Sequence, residues 1–141
     1  MASVLAVVVL GASVLMAQTA NPPNLPTRIV AGGIPVYPAI ARAAGISGTV
    51  RLNVKVHNGK VGDVSFVSAS SKAAEKWLVA NARQCAASWE FPDETTGTVP
   101  VEFVYVSAPP GTADAISIHF APGKGIRVSL QSARPKPVVM Y

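Results

Sequence analysis

Thiol chemistry is nearly absent from this 141-residue chain: Cys85 is its one cysteine, so no internal disulfide framework can form. Histidines and acids are also scarce, at two and seven. Neither His57 nor His119 has a cysteine or carboxylate at metal-ligand spacing, so no metal is expected. The GxSxG, GxGxxG, P-loop and HExxH patterns are all missing, and Asp93-Glu94 reads as a solvated turn. These absences point to a protein that is not an enzyme and needs no cofactor. The basic residues have no interleaved aromatics, which argues against nucleic acid as a partner. With 50% hydrophobic and 13% charged residues the chain is not disordered, while 12 prolines and 11 glycines exclude a long coiled coil.

Charge is missing altogether from residues 1–20. The apolar run 2–17 is short of the roughly 20 residues of a spanning helix. It ends in small and polar residues and then Asn21-Pro22-Pro23, the shape of a secretory signal peptide, although no Lys or Arg precedes Arg28. The expectation is an exported, periplasmic protein, the alternative being an inner-membrane protein anchored by residues 2–20. Residues 21–35 read as a Pro/Gly linker.

A short helix is expected between Pro38 and Gly45, with Ile40 and Ala44 facing one neighbour. Residues 49–57 (TVRLNVKVH) alternate apolar and polar without a fault, a strand with one buried face. Asn58-Gly59 tolerates the positive φ of a tight hairpin turn, and residues 60–67 return as a second strand with a bulge at Gly62. Ser70-Ser71 offers a cap to a helix over 72–88, along which Ala74, Leu78, Ala82, Cys85 and Trp89 form one stripe. Residues 99–106 (VPVEFVYV) form a third strand, placed at an edge because Pro100 cannot donate to a ladder. A right-handed crossover then predicts an α+β two-layer sandwich: a three-stranded antiparallel sheet in the order 2-1-3, with a short and a longer helix on one face. Ile116, Ile118 and Phe120, then Ile126, Val128 and Leu130, suggest a C-terminal β-hairpin before a basic, Pro-rich tail. The domain plan is thus residues 1–20, 21–35, 36–107 and 108–141.

Val36-Tyr37-Pro38, Gly48-Thr49-Val50, Asn58-Gly59-Lys60-Val61, Trp89-Glu90-Phe91-Pro92 and Val101-Glu102-Phe103, in this order and spacing, resemble the C-terminal domain of TonB. That periplasmic protein transmits energy to outer-membrane receptors. The resemblance covers roughly half the chain. It implies a function linked to TonB-dependent transmembrane transport, in which the last strand accepts an extended receptor peptide, the TonB box, as an added strand. Val99, Val101, Phe103 and Tyr105 would then form the partner-binding edge, with Tyr37 and Pro38 beside it. Receptor peptides are the implied partners, inner-membrane motor proteins too if residues 1–20 are retained, and a homodimer is open. Two departures stand out: residues 1–20 carry no polar residue of the kind that engages the motor, and the linker, fully extended, reaches only about 50 Å. The alternative function is a standalone envelope adaptor without energy coupling, its edge covered by the hairpin.

Overall fold

The computed structural model of the chain describes residues 26, 28–121 and 124–136. The expected export segment lies outside the described residues. Among those described, no helix is long and apolar enough to cross a membrane.

The alternation in residues 49–57 becomes strand β1 (Gly48–His57), with Val50, Leu52, Val54 and Val56 buried and Arg51, Lys55 and His57 exposed. Asn58 and Gly59 both take positive φ, 49° and 80°, and turn the chain into β2 (Lys60–Ala69). A side chain at position 59 would strike the carbonyl oxygen of Phe91, so the turn needs glycine for space as well as for φ. The β1–β2 register slips twice, opposite Val67 and around Gly62 and Asp63, so the expected bulge is present together with a second one.

Helix α1 (Ala39–Ala44) ends at Gly45, whose φ of 67° makes it a left-handed C-cap. It buries Ala41 and leaves Ile40 exposed, contrary to the expected inward Ile40. Helix α2 (Lys72–Ala87) begins where Ser71 Oγ accepts the Ala74 N–H at 3.0 Å, and it buries Ala74, Leu78, Ala82 and Ala86. That stripe packs on β1 and β2.

The remaining strands are β3 (Gly97–Ala108), β4 (Ala115–Ala121) and β5 (Gly125–Ala133). They overturn the expected three-stranded antiparallel sheet. The sheet is five-stranded and mixed, in the order β2-β1-β3-β5-β4, and β5 lies parallel to β3 from Val101↔Ile126 to Ala108↔Ala133. After β3 the chain crosses to the far edge as β4 and returns as β5 into the gap. The inner positions of β5, Ile126, Val128 and Leu130, are buried, so the hairpin is part of the one core. Pro100 misled the edge assignment because it lies one residue before the β5 ladder starts. Gly125 fits there because any side chain at that position would strike the Pro100 carbonyl oxygen.

This pairing predicts hydrogen-exchange behaviour. Amides between Val101 and Ala108, flanked by β1 and β5 over most of their length, should be among the slowest of the protein, and every second amide of β4 should exchange fast. Uniformly fast exchange through 101–108 would place β5 elsewhere.

Candidate functional site

Strand addition needs unpaired backbone groups and pockets for alternate side chains. Val99, Val101, Phe103 and Tyr105 offer neither: their side chains are buried, and from Val101 to Tyr105 the strand is paired on both sides. Stripping off β5 would expose Ile126, Val128 and Leu130 at about 1.5–3 kcal/mol each. The total approaches the roughly 8 kcal/mol that micromolar binding supplies. Displacing β5 is therefore a poor route to a binding edge.

Tyr37 is also core. Its hydroxyl donates to the Ile46 carbonyl, and its ring meets Tyr105 edge-on at 5.4 Å. Burial raises the pKa of both phenols, and Tyr105 donates to Asn81 Oδ1 at 2.9 Å. Pro38 is half-buried and occupies the N-cap position of α1. Cys85 is half-buried, and burial raises its pKa, so the thiol stays protonated.

Among the described residues the sheet has two free edges, and they are built differently. On β2, two bulges, Lys60 and Asp63 break the row of donors and acceptors, and Lys60 is bound to Glu90 at 2.9 Å. Such devices protect an edge from unwanted pairing. On β4 (AISIHFA) there is no Lys, Arg, Asp, Glu, Pro or bulge, and seven consecutive pairs run to β5 without a slip. Its Ile116 and Ile118 remain 49% and 38% exposed.

A wall of fixed chain stands beside that edge. The Val30 N–H donates to the Glu90 carbonyl and the Glu90 N–H to the Ala31 carbonyl, both at 2.7 Å. The Gly33 N–H reaches Ser88 Oγ at 2.9 Å, and Trp89 Nε1 donates to the Gly33 carbonyl at 3.4 Å. Held there, and by Tyr37 at its other end, the segment presents Ile34 and Val36 at 76% and 65% exposure. Two cavities of about 180 and 270 Å³ lie between this wall and β4, sharing Ile34, Pro35 and Ile116. Together they form one mainly apolar groove along the edge, with Arg42, Asp114, Gln131 and Ser132 also lining the smaller cavity.

The family model described as Gram-negative bacterial TonB protein C-terminal matches residues 34–109, more than half of the chain. The chain belongs to this family. TonB C-terminal domains are non-catalytic envelope domains that act in TonB-dependent transport and typically interact with outer-membrane receptors. No curated protein and no solved structure matches the chain at a significant level. The match stops at the end of β3, yet the sheet of this TonB C-terminal domain is completed by β4 and β5 beyond it.

Sequence reasoning recognised the hairpin but not its edge. Residues such as Ile116 and Ile118 read equally well as a core face, and the signal that marks the edge is a strand without Lys, Arg, acid, proline or glycine. Among the described residues no three metal-ligating side chains gather.

Proposed function

We propose that the chain is a periplasmic TonB-like protein that takes up extended, TonB-box-like segments of outer-membrane receptors by strand addition at the free edge of β4. One observation carries the reading: β4 is the regular, uncharged edge of the sheet and borders an apolar groove, whereas the outer side of β3 is occupied by β5. Val99, Val101, Phe103 and Tyr105 then belong to the core, the last three side by side with the buried residues of β5, and Tyr37 braces the wall. Export, and any coupling to an inner-membrane motor, would depend on residues 1–20.

Calorimetric titration with synthetic receptor amino-terminal segments tests this. Saturable binding is expected, with loss of binding when alternate peptide amides are N-methylated. Of Ser117→Pro and Ile118→Pro, the variant whose N–H faces away from β5 should keep the fold and weaken binding about tenfold or more. Absence of binding by the folded protein, or binding that neither proline variant disturbs, sinks the proposal. The closed β3 edge supports a second reading, an envelope adaptor without energy coupling, and that reading expects no receptor peptide to bind.

A further inference from the structure

We propose that the segment taken up beside β4 has aliphatic side chains at every second position and an acidic side chain between two of them. This rests on the strand-addition reading above. Residues opposite one another on paired strands lie on the same face of the sheet. A residue opposite Ile116 or Ile118 would therefore enter the apolar groove walled by Ile34 and Val36. The positions between them would stand on the other, helix-free face, beside Ser117 and His119.

That face is basic. Ser68, Arg51, Glu102, Arg127 and His119 form one row in register across all five strands. Glu102 is shared between two guanidinium groups, with Arg51 Nε at 3.0 Å and Arg127 Nε at 3.4 Å. One carboxylate thus faces two cations, and Arg127 has the longer contact. An added strand would run about 10 Å from β5, within reach of a long Arg side chain. A carboxylate opposite His119 would complete the row.

The test uses the full chain and four synthetic peptides of equal length. One has valines at alternate positions with Asp and Ser between them, one has the same residues in block order, one has Lys in place of Asp, and one is a receptor amino-terminal segment. The alternating Asp peptide should bind, the block peptide about tenfold or more weaker because its valines cannot all enter the groove. The Lys peptide should bind about fivefold weaker. Arg127→Gln should abolish the preference for Asp over Lys while thermal unfolding stays the same. Equal binding of the alternating and block peptides, or of the Asp and Lys peptides, alongside a receptor segment that binds, overturns this inference and leaves the strand-addition reading standing. If no peptide binds to the folded chain, the strand-addition reading itself fails. A dimer in sedimentation that vanishes in Ile118→Pro would give the edge to a second copy and overturn the inference.

Discussion

Val128→Asp is expected to abolish cooperative unfolding of the domain. Val128 is fully buried at the centre of β5, aligned with Phe103 on one side and Ile118 on the other. The substitution removes about 1.5–3 kcal/mol of apolar burial and places a carboxylate where no described cation faces it, at a further cost of several kcal/mol. The sum is comparable with the whole stability of a typical domain, about 5–15 kcal/mol. Urea denaturation followed by circular dichroism measures it. Ser129→Asp, on the wet face one residue along, is the control and should shift the midpoint little. A Val128→Asp protein that unfolds like the parent would show that β5 is not part of the core. By the same logic, a chain cut after Ala108 loses the cover over Phe103 and Tyr105 and should not fold stably, although it retains nearly all residues of the family match.

The second large effect is expected from Trp89→Ala, at about 3–5 kcal/mol, lowering Tm by roughly 10–20 °C. Trp89 stacks on Phe103 at 5.7 Å and meets Phe91 edge-on at 6.2 Å. The α2 stripe covers β1 and β2, and Trp89, Phe91 and Tyr37 extend the cover toward β3. Gly32 lies so close to Trp89 that a Cβ there would approach its ring at 2.7 Å, and the indole N–H holds the Gly33 carbonyl. Losing the indole therefore opens a cavity and also releases one end of the wall beside β4. Trp89→Phe should cost less, since it keeps a ring against Phe103 and gives up the hydrogen bond. A loss below about 1 kcal/mol for Trp89→Ala would show that the site collapses around the gap.

Local features were legible because each depends on a short stretch of chain. The period of two in β1 marks its buried and wet faces, Asn58-Gly59 supplies the positive φ of the turn, and Ser71 caps α2 through its own hydroxyl. The helical stripe correctly led on to Trp89, which is buried beyond the helix end. Tyr37 and Pro38 were named through the TonB resemblance as neighbours of the binding edge, and in the structure Tyr37 braces the core. Ile40 failed because a two-turn helix has too little periodicity to show which of its apolar residues faces inward.

Edges were not legible. Being an edge strand is a property of the assembled sheet, and one proline near the start of β3 could not report what lies beside the residues after it. Residues 115–133 declared two strands through their alternation, and that alternation is the same for a strand paired on one side or on both. The amino-acid sequence by itself determined where strands, turns and helices lie and which face of β1 is dry, because side-chain period and backbone preference act over a few residues. Only the tertiary structure decided that β5 fills the gap beside β3 and leaves β4 open, because that choice depends on which apolar faces meet across the core, between residues far apart in the chain.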